Sequence, residues 1–159
     1  MATRSVSNAD FTIERTYDAG PARVFDAWAD PTKKARWFGA PEGAESERAF
    51  DFRVGGREHN AGTLPDGTRY TFDADYQNIV VGERIVYTYA MTMNGEPISV
   101  SVASIEFKAI DGSPDRARLI LTEHGAFFDG LDNVGQREQG TRELLDALGK
   151  EIERERALT

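Results

Sequence analysis

Apolar and polar positions alternate along most of this chain, and the period changes from two to three-four only near the ends. Phe11, Ile13 and Tyr17 fall on one side of a first strand, as in half-buried β-structure. Asp18-Ala-Gly-Pro21 ends it, and Pro21 suits the first turn of a helix whose apolar face is Val24, Phe25 and Trp28. Asp30-Pro31 breaks that helix. A second short one is expected over residues 32–37, with Thr32 as a candidate cap and Ala35, Trp37 and Phe38 as its contacts. Gly39 to Gly43 reads as a loop.

From Glu45 to Glu123 the period is two throughout. Phe50, Phe52 and Val54 alternate with Asp51 and Arg53 up to Gly55-Gly56, a turn or bulge. Further strands are expected at residues 57–63, 69–77, 84–93, 98–109 and 118–123. Turn signals at Leu64–Gly67, Val81-Gly82, Asn94-Gly95 and Asp111–Asp115 separate them. Residues 125–133 read as a loop holding Phe127 and Phe128. After Asp132 or Asn133 as cap, a long helix runs to about Arg156, with Thr141, Leu144, Leu145, Leu148 and Ile152 on one face and Gly135, Gly140 and Gly149 interrupting it. Residues 1–9 read as a flexible tail and residues 10–156 as one domain. The fold class is α+β: a curved antiparallel sheet of about six to seven strands around a long C-terminal helix, with two short helices after the first strand.

Composition narrows the functional classes. The 159 residues are 40% hydrophobic and 10% aromatic, enough for a real core. No cysteine is present, which removes disulfides, thiolate metal sites and cysteine nucleophiles. A net charge of -8 speaks against nucleic acid or an anionic membrane as partner. The N-terminus lacks the apolar run of a secretory signal, and no stretch approaches the roughly 20 apolar residues of a membrane span. A cytoplasmic location is the expectation. The two histidines, His59 and His124, lie far apart without ligand spacing, so no metal site is expected, and no cofactor-binding motif is present.

Glu14-Arg-Thr-Tyr-Asp18, Pro21-Ala-Arg-Val-Phe-Asp-Ala-Trp28, Asp30-Pro31 and Ala35-Arg-Trp-Phe38 resemble the N-terminal signature of the START-like (SRPBCC, helix-grip) superfamily. Asp51–Gly56, Glu83–Tyr87 and Thr122–Phe127 agree. Within it the chain is similar to the branch named for the activator of heat-shock-protein-90 ATPase. The resemblance spans roughly residues 10 to 150 and implies a ligand cavity between the concave sheet face and the long helix.

Given that cavity, residue parity nominates its walls. If Phe50, Phe52 and Val54 point inward, alternation carries Glu58 and Asn60 inward, and Glu123 shares the side of Leu119 and Leu121. Glu58 and Glu123 are thus candidate general acid–base carboxylates, tuned by desolvation. The competing reading leaves them at the rim or paired with Arg57, Arg69 or Arg142. Trp37, Phe52, Tyr76, Tyr87, Tyr89, Met91, Leu144 and Leu148 are candidate apolar walls, Phe127 a candidate lid, and Gly140 a place where a missing side chain leaves room. Both histidines alternate with these glutamates and are expected to face outward.

Three functions follow as expectations. The first is binding of a small hydrophobic or aromatic, lipid-like molecule. The second is a polyketide cyclase-like enzyme using a cavity carboxylate. The third is a co-chaperone-like module that binds a protein partner. A homodimer through the outer sheet face is compatible with the pattern, which does not demand one.

Overall fold

A computed structural model describes residues 3–39 and 46–158 of the chain. Its elements run β1 (Val6–Tyr17), α1 (Pro21–Ala29), α2 (Pro31–Trp37), β2 (Ser46–Phe50), β3 (Arg57–Thr63), β4 (Arg69–Val80), β5 (Arg84–Met93), β6 (Glu96–Ile110), β7 (Ser113–Phe128) and α3 (Val134–Ala157). Most of the loop expected at residues 39–43 lies outside the described residues. The strands form one antiparallel sheet in the order β1-β7-β6-β5-β4-β3-β2. The first two strands are therefore its two edges, six strand spacings or ~29 Å apart if the sheet were flat. Between Tyr17 and Ser46 the chain has to cross that span, and α1 and α2 lie on the crossing, with α1 packed on β6, β7 and α3.

Local chemistry explains the boundaries. Asn94 and Gly95 both have positive φ, 50° and 82°, the tight two-residue hairpin that joins β5 to β6. Gly55, at φ 84°, turns the chain between β2 and β3. Phe50 and Glu58 thus end up paired on neighbouring strands rather than in line on one. Between the end of β2 and that turn parity fails, while beyond it Glu58 and Asn60 are buried as alternation expects. Val54 is 56% exposed, and Phe52 packs from the connection onto Phe25 and Tyr76. The cap of α2 is Asp30, whose carboxylate accepts from the Lys33 amide. Thr32 cannot serve, because Pro31 already occupies the first helical position. Asn133 caps α3 through the Gln136 amide.

Two strands are longer than their patterns suggest. β1 starts at Val6, so Val6–Ala9 are paired with residues 125–128 rather than loose. β7 runs on to Phe128 because β1 and β6 continue beside it on both sides. Phe127 therefore sits in a central strand, 2% exposed.

One end of the concavity is filled. Phe25 meets Phe107 edge-on at 5.3 Å, Trp28 meets Trp37 at 4.7 Å, and Ile85, Ile105 and Leu119 are fully buried. The α3 stripe closes over this core through Leu145, Leu148 and Ile152. The Tyr17 hydroxyl ties the first strand to it, donating to the Leu145 carbonyl at 2.8 Å. Toward the other end the sheet turns small: Ala74 pairs with Tyr89, Tyr89 with Ser101, and Tyr87 with Ala103. Large side chains thus alternate with positions that carry almost none, and space remains beneath the N-terminal half of α3.

Candidate functional site

That space is a cavity of about 450 Å³. Tyr87, Tyr89 and Met91 of β5 line it with Phe72 and Tyr70 of β4, Asn60 of β3, and Leu121 and Glu123 of β7. Trp28, Trp37 and Phe38 close one side, and Arg137, Gly140, Thr141, Leu144 and Leu145 of α3 form the roof. A Cβ added at Gly140 would meet nothing within 4 Å, so this helical glycine leaves space open. Of the candidate wall residues, Trp37, Tyr87, Tyr89, Met91, Glu123, Gly140 and Leu144 stand on the cavity.

The other candidates stand off it. Phe52 is in the β2–β3 connection, and Leu148, fully buried, belongs to the closed core further along α3. Phe127 is no lid: its ring folds back against Gly125, where an added Cβ would lie 2.9 Å from it. Glu58 and Tyr76 point inward but are sealed in a separate cluster. His59 and His124 face outward and pair with Asp73 and Asp10.

Arg137 organises the polar wall. Its Nη1 donates to the Tyr89 hydroxyl at 2.7 Å and lies 3.4 Å from Glu123 Oε2; its Nη2 donates to Ser99 Oγ at 2.7 Å and to Asp132 Oδ2 at 2.5 Å. The Tyr89 hydroxyl reaches both Glu123 oxygens at 2.8 Å. Burial raises the Glu123 carboxyl above its usual range, and the bonds from Tyr89 and Arg137 only partly offset this. Burial and the neighbouring Glu123 charge push the Tyr89 phenol up as well, so it stays protonated and donates.

The second cluster centres on Lys34 of α2, 3% exposed. Its Nζ donates to Glu58 Oε1 at 2.6 Å and to the Tyr76 hydroxyl at 3.2 Å, while that hydroxyl donates to Glu58 at 2.6 Å. Asn60 Nδ2 donates to the other Glu58 oxygen at 2.9 Å. The ammonium also lies 4.3 Å from the Phe38 ring centre and 5.1 Å from that of Phe50, an aromatic enclosure that stabilises a desolvated cation.

Neither cation was among the expected partners. Arg57 pairs with Asp75, and Arg142 with Glu138 one helical turn away. The signal for the true partners was helical spacing. Lys34 lies three residues before Trp37, on the same face, and Arg137 lies one turn before Thr141, extending the α3 stripe backwards.

The family model for Activator of Hsp90 ATPase homolog 1-like protein matches residues 18–153. The chain belongs to this family. Among solved structures of similar proteins is the Mll3558 protein from Rhizobium loti, 45% identical over 92% of this chain and 99% of that one, with a TM-score of 0.85. A protein from Rhizobium leguminosarum is 37% identical over 96% and 99%, with a TM-score of 0.88. The AHSA1-like protein from Aeromonas hydrophila, 19% identical over 91% and 92% with a TM-score of 0.64, shares the fold. No curated protein matches the chain. The helix-grip architecture, seven antiparallel strands and a long C-terminal helix among the described residues, is that of this family. Among those residues no group of three His, Asp or Glu side chains is placed to hold a metal, and no helix is long and apolar enough to cross a membrane.

Proposed function

We propose that this protein binds a small, largely apolar or aromatic molecule between its concave sheet face and α3. The observation that carries this reading is the cavity itself: about 450 Å³, walled mainly by aromatic and aliphatic side chains, with polar groups gathered on one side. At Gly140, on the roof, a side chain would intrude on this space, and none is there. The absence of cysteine suits a reducing cytoplasm, where we place the protein.

Native mass spectrometry of the purified protein, with thermal shifts for a panel of lipids, polyketides and aromatic compounds, tests the reading. A stoichiometric bound molecule or a rise in Tm is expected for the natural sequence. Gly140→Leu, which puts a side chain on the cavity roof and replaces a helical glycine with a better helix former, should weaken either signal without lowering Tm. An empty protein that no compound stabilises would overturn the proposal.

A second reading, a polyketide cyclase-like enzyme, draws on Glu123 alone: a buried carboxyl on the cavity wall with its proton affinity raised is suited to proton transfer. Glu123→Gln should then slow hydrogen exchange or turnover of the bound compound, measured at saturating compound. A co-chaperone-like role has less to stand on. On the outer sheet face β6 exposes Val100 and Val102, beside the polar Asn8, Asp10 and His124.

A further inference from the structure

The polar groups on the cavity wall are not equally free to meet a ligand. Both terminal nitrogens of Arg137 already donate to protein acceptors, and two carboxylates, Glu123 and Asp132, share its single positive charge. The cluster therefore carries one excess formal negative charge. The neighbouring Lys34–Glu58 pair is neutral and contributes nothing to cancel it.

Tyr87 is the most deeply buried exception, Tyr70 and Gln136 on the same wall standing nearer solvent. It lines the cavity and is 5% exposed, and its hydroxyl has no hydrogen-bond partner among the described residues. The residue belongs to the cavity wall, next to Tyr89 and Met91 on the inward side of β5.

Its surroundings are acidic on both sides. Across β4 it pairs with Tyr76, which holds Glu58; across β6 it pairs with Ala103, whose own partner on β7 is Glu123. Ala103 puts no side-chain bulk between phenol and carboxylate. Burial, followed by the fields of Tyr89, Glu123 and Glu58, keeps the phenol protonated far above neutral pH. A hydroxyl dipole in such a field turns its hydrogen toward the carboxylates and leaves its lone pairs for a donor.

Resting on the cavity reading, we infer that the ligand presents a hydrogen-bond donor, best an amine and next a hydroxyl, to Tyr87 and the Glu123 wall, and that organic acids are excluded. A carboxylate would have to enter beside an unbalanced negative charge and compete with Asp132 for an occupied guanidinium. An ammonium supplies the missing positive charge and donates to an unpartnered oxygen.

The test displaces a neutral fluorescent probe, N-phenyl-1-naphthylamine, with three compounds matched in their ring: 2-(2-naphthyl)ethylamine, 2-(2-naphthyl)ethanol and 2-naphthylacetic acid. The expected order of affinity is amine, alcohol, then acid, with at least tenfold between first and last. Tyr87→Phe should weaken the amine and the alcohol about fivefold and leave the acid unchanged. Asp132→Asn keeps an acceptor for Arg137 and removes the excess charge, so the amine's advantage over the acid should shrink about tenfold. Tightest binding by the acid, with the probe bound normally, overturns this inference and leaves the cavity reading standing. Failure of the probe to bind, or binding unaffected by Gly140→Leu, overturns both.

Discussion

Lys34–Glu58 and Arg137–Glu123 are built from the same parts: a cation from a helix, a glutamate from an inward-facing strand position, and a tyrosine donating to that glutamate. Three strands lie between the two glutamates. What separates the clusters is their cover. Lys34 is enclosed by Phe38, Phe50, Trp28 and Tyr76 and balanced by one carboxylate. Arg137 stands on a cavity wall and is shared by two. A sealed, neutral pair can only hold elements together, here α2 to β3 and β4. An unbalanced pair open to a cavity keeps a free field for something that enters. Burial of charge alone is thus a poor guide to function, whereas burial with an excess charge and an adjoining void is a good one.

The largest effect that would test this contrast is on Lys34. Lys34→Met strands the Glu58 carboxylate without a cation in a dry site and should cost about 3–5 kcal/mol in urea unfolding. Adding Glu58→Gln to that variant should recover a large part, since no charge is then left buried. Arg137→Met should cost less, about 1–3 kcal/mol, because the orphaned Glu123 sits where water can reach it through the cavity. Equal losses at the two sites would break the comparison.

The smallest effect concerns pH. Burial holds the folded-state Glu123 carboxyl above its ordinary value of 4.5. Folding therefore favours the protonated form, and this contribution is fully present below pH 4.5 and lost as pH rises through the folded-state value. Glu123→Gln removes that dependence. The variant should gain on the natural protein in Tm as pH is taken from about 4 to about 7, and a difference that stayed flat would show that Glu123 is not desolvated as the structure indicates.

Much of this was legible in the chain. The period-two runs place Tyr87, Tyr89 and Met91 on one face, and parity along β7 brings Glu123 in with Leu119 and Leu121. Where parity failed, a backbone feature had intervened. Ahead of the reversal at Gly55 the chain leaves the strand, so Val54 turns to solvent, while Glu58, the partner of Phe50, faces inward as alternation expects. At Phe127 the strand simply continued, since strand length depends on neighbouring strands more than on the residues in it. Helix capping was misassigned by two residues because Pro31, not Thr32, decides where α2 begins.

Sequence alone determined which side chains share a face, because backbone geometry imposes periods of 2 and 3.6 whatever the rest of the fold does. It settled the helix-grip order of elements and the aromatic character of the concave face. Only the tertiary structure decided which carboxylate meets which cation, and which of the two pairs is left open. Those outcomes depend on residues far apart in the chain, Lys34 with Glu58 and Arg137 with Glu123 and Asp132, and on whether a ring or a void lies beside them. The sign of the field inside the cavity is a sum over these distant groups, so no local pattern could carry it.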